Sequence, residues 1–195
     1  MKPYEVENFQ HNGYTVRIIA DEDAEPPEND DNGLFIVTTR NRYFELLHDK
    51  QDAQQCREDE DLCKKYWIFP LRAYVHSGVA LSLYGGGQFS DPWDSGQIGF
   101  VFAAKSEWRY ERRERKKCVS AHKAAESYVE AWNQYLSGDV WGYVIETPDG
   151  EHVDSCWGFY GLDCCKQEAI SCAPKEPAPV GGDSEDEAFD ETLCG

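Results

Sequence analysis

Only one stretch of this sequence repeats its apolar residues at helical spacing over several turns. Between Val119 and Leu136, residues Ala121, Ala125, Tyr128, Val129, Trp132, Tyr135 and Leu136 recur three or four apart and form one stripe. Ser137-Gly138 follows, and Gly138 suits the left-handed position that ends a helix. Most other apolar runs are short and rich in β-branched or aromatic residues. Gly13 to Ala20, Leu34 to Thr39, Trp67 to Tyr84, Ile98 to Ala103, Val140 to Glu146 and His152 to Phe159 therefore read as extended chain. Pro148-Asp149-Gly150 folds the last two into a hairpin. Leu162 to Cys172 reads as a short helix, and His48 to Lys65 as a surface helix or an excursion. One long amphipathic helix among short strands implies an α+β fold, with the helix packed on one face of an antiparallel sheet. The strands at Gly13–Ala20 and Leu34–Thr39 are expected to pair across the acidic loop between them.

The chain has 195 residues, of which 41% are hydrophobic and 13% aromatic, enough for one sizeable core. The expectation is a single domain over residues 1–173. From Pro174 onward Pro, Gly and acidic residues replace any core-forming pattern, so residues 174–195 read as a disordered acidic tail. No apolar run approaches the ~20 residues that cross a bilayer. The opening Met1-Lys2-Pro3-Tyr4-Glu5-Val6-Glu7 has no apolar segment of a secretory signal, which points to the cytoplasm. The eight cysteines then read as thiols. None forms a C-x-x-C pair, so no zinc site and no other cofactor is expected.

Charge narrows the classes of partner. The formal net charge of -18 repels nucleic acid phosphates and anionic membranes, so neither is an expected direct partner. It suits a basic protein partner, although solubility alone would produce the same number. The acids concentrate in the loop after the first strand. Asp21, Glu22, Asp23, Glu25, Glu28, Asp30 and Asp31 are the candidate partner-binding residues. The basic run Arg109, Arg112, Arg113, Arg115, Lys116 and Lys117 reads as a solvated face or as an internal counter-charge.

Three loops mix Gly, Asp, Ser, His and Trp in the manner of a concave polar site with aromatic walls. They are His76-Ser77-Gly78, Asp91 to Gln97, and Asp154 to Phe159, with Gly138-Asp139 beside them. Candidate pocket residues are Ser77, Asp91, Trp93, Asp94, Gln97, Asp139, Asp154 and Trp157, and candidate catalytic residues are His76, Asp94 and Cys156. The run Ser155-Cys156-Trp157-Gly158-Phe159 looks like the nucleophile signature of papain-like proteases. There, however, the cysteine opens a helix and His and Asn follow far downstream, whereas no His follows Cys156 here. His152 lies four residues before Cys156, and even spacing on a strand would put both on one face. Asp91, Asp94, Asp139 and Asp154 offer oxygens to a hard cation, but their spacing makes no motif and no metal is assigned. Asx-turns, a hydrogen-bonded core histidine and a core-plugging Trp account for the same residues structurally.

Several segments together resemble a family. They are Asp21 to Pro27 with Asp31-Asn32-Gly33, His76-Ser77-Gly78, Pro92 to Phe100, Tyr135 to Gly142, and Asp154 to Gly161. In this order they resemble a family of small acidic proteins encoded by phages, prophages and plasmids. The resemblance covers roughly residues 13 to 162. Where relatives carry a His-rich basic stretch after the second strand, this chain has Thr39-Arg40-Asn41-Arg42-Tyr43. The resemblance implies a phage-type accessory protein that binds and inhibits a host nucleic-acid-handling or defence protein, an anti-CRISPR or anti-restriction role among the options. The alternative is a small hydrolase or nucleotide-processing enzyme using a His/Asp/Cys or carboxylate-metal pocket.

Overall fold

The computed structural model describes residues 5–27, 33–38, 53–75, 78–83, 95–107 and 121–175. In chain order they form β1 (Glu5–His11), β2 (Tyr14–Ala20), β3 (Leu34–Thr38), α1 (Ala53–Glu58), α2 (Glu60–Lys65), β4 (Tyr66–Val75), β5 (Val79–Leu83), β6 (Ser95–Ala104), α3 (Ala121–Ser137), β7 (Val140–Glu146), β8 (His152–Tyr160) and α4 (Leu162–Cys172). The class is α+β with antiparallel pairing throughout. The expected single sheet is corrected. The strands divide into two four-stranded sheets, ordered β1-β2-β7-β8 and β3-β6-β4-β5. The long helix expected over Val119–Leu136 corresponds to α3, one of four helices among the described residues. The expected pairing of the first two strands across the acidic loop is also corrected. β2 pairs with β1 and β7, and β3 pairs with β6 in the other sheet.

The reason lies in the turn at Asn12-Gly13. Both residues have positive φ, 51° and 83°, the conformation that a two-residue hairpin turn requires. That turn gives β2 its partner on one side locally. β7 takes the other side, from Thr15↔Glu146 to Ala20↔Trp141. Alternation then sorts the side chains. Tyr14, Val16 and Ile18 of β2 and Tyr143 and Ile145 of β7 are buried against Cys165, Ala169 and Ala173 at α4. The opposite face of this sheet carries Arg17, Val144 and Glu146, with Arg17 Nη1 and Glu146 Oε1 3.3 Å apart.

The second sheet is covered on both faces. Leu71, Ala73, Leu81, Ile98, Val101 and Ala103 pack against Ala125, Tyr128, Val129 and Trp132 of α3. Val37, Phe100 and Phe102 pack against Ala53 and Cys56 of α1 on the other side. β6 is accordingly buried continuously from Ile98 to Ala103, as expected of a strand enclosed on both faces. α2 is six residues long and held at its start by Asp59, whose carboxylate accepts from the N–H groups of Asp61 and Leu62.

β5 is an edge strand of this sheet, and α3 guards it. The N–H of Leu81 donates to Asn133 Oδ1 at 2.7 Å, and Asn133 Nδ2 donates to the Leu81 carbonyl at 3.0 Å. One amide side chain thus occupies the positions a further strand would take. Asn133→Ala leaves two backbone groups without these partners. It is expected to lower stability by about 1–3 kcal/mol, read as a lower midpoint in urea unfolding. An unchanged midpoint would show that water replaces the amide at no cost.

Candidate functional site

His76, Ser77, Asp91, Trp93 and Asp94 lie outside the described residues, as do Glu28, Asp30, Asp31 and the tail from residue 176. The remaining candidates gather on and around the β7–β8 hairpin, except Gln97, which is exposed on β6 opposite Arg72.

Asp139 follows α3. Its carboxylate accepts from the Trp141 indole N–H, and its backbone links the end of α3 to Gly161. Asp154 Oδ2 accepts from the Tyr143 hydroxyl at 3.2 Å, and Oδ1 accepts from the N–H of Ser155 at 2.8 Å. These two carboxylates sit at opposite ends of the hairpin, since Val140 pairs with Tyr160 while Ile145 pairs with Asp154. Five residues of extended chain separate them by about 17 Å, far beyond a shared cation. Among the described residues no group of three or more His, Cys, Asp or Glu side chains converges as a metal site.

The expectation that His152 and Cys156 share a face is corrected. His152 pairs with Glu146 and Cys156 with Tyr143, three residues apart on β7, so the two side chains point to opposite faces. A register shift between Ile145 and Glu146 breaks the even count on which the expectation rested. His152 Nε2 instead lies 3.1 Å from Ser155 Oγ. Cys156 is exposed on the Tyr143 side, and His152 cannot serve it as an imidazole base.

The described leg of the acidic loop forms a strap along β7 and β8. The Asp21 N–H donates to the Val140 carbonyl at 2.9 Å. Asp21 Oδ2 accepts from the N–H of Gly158 at 3.1 Å, and Oδ1 accepts from the N–H of Asp23 at 3.2 Å. Further along, the Tyr160 hydroxyl donates to the Glu25 carbonyl at 3.0 Å, and Pro27 is buried. Asp21 is therefore a structural residue, which sequence alone had grouped with the partner-binding acids. Glu22, Asp23 and Glu25 are exposed, and no ion pair among the described residues engages their carboxylates.

Trp157 stands beside this strap. A second register shift, between Trp141 and Tyr143, places an extra residue on β8, and Gly158 takes φ 84° there. The Trp157 ring lies against Gly142, so closely that a Cβ at Gly142 would stand 2.1 Å from Cε3. Gly142, Gly158, Tyr143 and Tyr160 were missed as site residues. The repeated Trp-Gly-aromatic triplet, Trp141-Gly142-Tyr143 and Trp157-Gly158-Phe159, was the available signal.

Buried titratable groups lie on the α4 side. Burial, reinforced by the Cys164 and Cys156 thiols, pushes the Cys165 thiol up to about 12 from its usual 9.0. Burial likewise raises Tyr143, with hydrogen bonds to Cys172 and Asp154 adding to it. These groups stay protonated near neutrality and act as packing elements rather than nucleophiles. No protein-family model matches the chain, and neither a curated protein nor a solved structure matches it.

The Cys165 shift fixes the sign of a pH effect. In the unfolded chain the thiol ionises near 9.0, while in the fold it holds its proton to about 12. Its contribution to stability is thus complete below about pH 9 and is lost as pH rises toward about 12. Urea midpoints are expected to fall across that window and to fall less steeply in Cys165→Ala. Iodoacetamide at neutral pH is expected to modify the exposed Cys156 and Cys164 and to spare Cys165, read by mass spectrometry. Equal labelling of all three would contradict this assignment.

Proposed function

We propose that this protein acts as a stoichiometric binding protein. Its target is a basic, nucleic-acid-handling protein of the host, a component of defence, and it reaches that target in the host cytoplasm. The observation that carries this reading is the strap. Its backbone is held at Val140 and by the Tyr160 hydroxyl, yet its acids Glu22, Asp23 and Glu25 are exposed and, among the described residues, in no ion pair. Carboxylates held in this way meet a cationic surface without first losing conformational entropy. Opposite charge also speeds encounter and fixes register. The resemblance to small acidic phage and plasmid proteins supports a host target.

The strap is a local contact and too short for a long nucleic-acid mimic. From Glu22 to Glu25, where the chain turns at Glu22 and Asp23, the span is at most about 10 Å, the axial length of about six DNA charges at ~1.7 Å each. Three carboxylates over that length match a small basic patch.

Replacing Glu22, Asp23 and Glu25 together by Lys tests the reading. Wild-type affinity for the host target is expected to fall as salt rises from about 0.05 to about 0.2 M, and the variant is expected to bind at least about tenfold more weakly at low salt. Its melting temperature is expected to stay within a few degrees, since no described ion pair is lost. Target binding that is indifferent both to salt and to the substitutions would overturn the role of the strap.

A further inference from the structure

Trp157 is the most exposed large apolar side chain among the described residues, at 46%. Exposure of this size normally invites repacking, yet the ring is held. Its six-membered ring is seated on Gly142, where a Cβ would lie 2.1 Å from Cε3 and 2.4 Å from Cδ2. One ring face is therefore set against backbone, which leaves the other to account for the exposure. The next residue, Gly158, is tied through its N–H to Asp21 Oδ2, so the strap begins directly beside the indole. Glu22, Asp23 and Glu25 follow along the same strap before and at its second anchor on Tyr160.

Resting on the binding role above, we propose that Trp157 is a platform for an arginine side chain of the partner, stacked on the free ring face while its guanidinium faces the strap carboxylates. The chemistry selects among occupants. An apolar group would remove water from the neighbouring carboxylates and give them nothing in return. A phosphate would be repelled by them. Of the two cations, the guanidinium is planar, weakly hydrated and able to stack while its edge donates to carboxylates. The ammonium of lysine is compact and strongly hydrated, and it covers less of the ring. Tryptophan is the aromatic side chain that attracts a cation most strongly, and it is enriched with arginine where binding energy concentrates.

Two peptides of equal length and charge, one arginine-rich and one lysine-rich, separate this inference from the reading it rests on. Each is titrated into the full chain at about 0.15 M salt, with the tryptophan indole N–H signals followed by NMR and Trp157 assigned by comparison with Trp157→Phe. The arginine peptide is expected to bind about three- to tenfold more tightly and to move the Trp157 signal. Trp157→Ala is expected to bring the two affinities within twofold. The wild-type indole shift keeps the test valid should that variant unfold. Equal binding of both peptides, or a Trp157 signal that stays still as the arginine peptide binds, overturns the platform and leaves the acidic strap standing. Failure of both peptides to bind overturns both.

Discussion

The pairing of β2 with β7 is the interaction on which the rest of this structure depends. Its register, Thr15↔Glu146 through Ala20↔Trp141, joins the two ends of the described chain into one sheet. It also decides where the chain goes next. Ala20 ends opposite Trp141, so Asp21 emerges over Val140 with its carboxylate in reach of Gly158 on the following strand. A slip of one residue would turn Val16 and Ile18 away from α4 and carry Asp21 off its anchors. Core, strap and the surroundings of Trp157 are therefore fixed by one ladder.

The acids of this chain divide into two kinds. Asp21, Asp59, Asp139 and Asp154 each accept at least one N–H from backbone or from an indole, and Asp154 also takes a tyrosine hydroxyl. Their short side chains reach nearby donors at the ends and bulges of elements, where the regular ladder leaves N–H groups over. Glu22, Asp23 and Glu25 are described with no such carboxylate contact. The net charge of -18 therefore overstates the charge free to meet a partner. It also hides the structural use of aspartate along β8, where the N–H groups of Ser155 and Gly158 end on carboxylates.

Most elements could be read from the sequence because their cues are local. The stripe from Ala121 to Leu136 and the Gly138 stop lie within α3 and its cap, and Leu162 to Cys172 is helical as expected. The partition into two sheets could not be read, because pairing is set by contacts distant in sequence. β1 was overlooked because Glu5 to His11 is largely polar, and only Phe9 packs with the core there. The Asn12-Gly13 turn was the cue that a strand precedes it. The faces of β8 were misread for a sharper reason. Strict alternation fails wherever a bulge adds a residue, and β8 has one at each end. Trp157 was marked as an aromatic wall without a seat, and the structure sets its ring on Gly142 with the next residue tied to Asp21.

The contact between Trp157 and Gly142 has a consequence for how such a sequence can drift. Any side chain at position 142 would collide with the ring, and the obstruction lies in the rigid six-membered part rather than at a flexible tip. The ring cannot swing aside freely, because its strand is tied at Gly158. Position 142 can therefore gain a side chain only after position 157 has lost its bulk, and a chain that lost Trp157 would no longer hold 142 to glycine. The two positions should be inherited as a pair, changing together or not at all, although they belong to different strands.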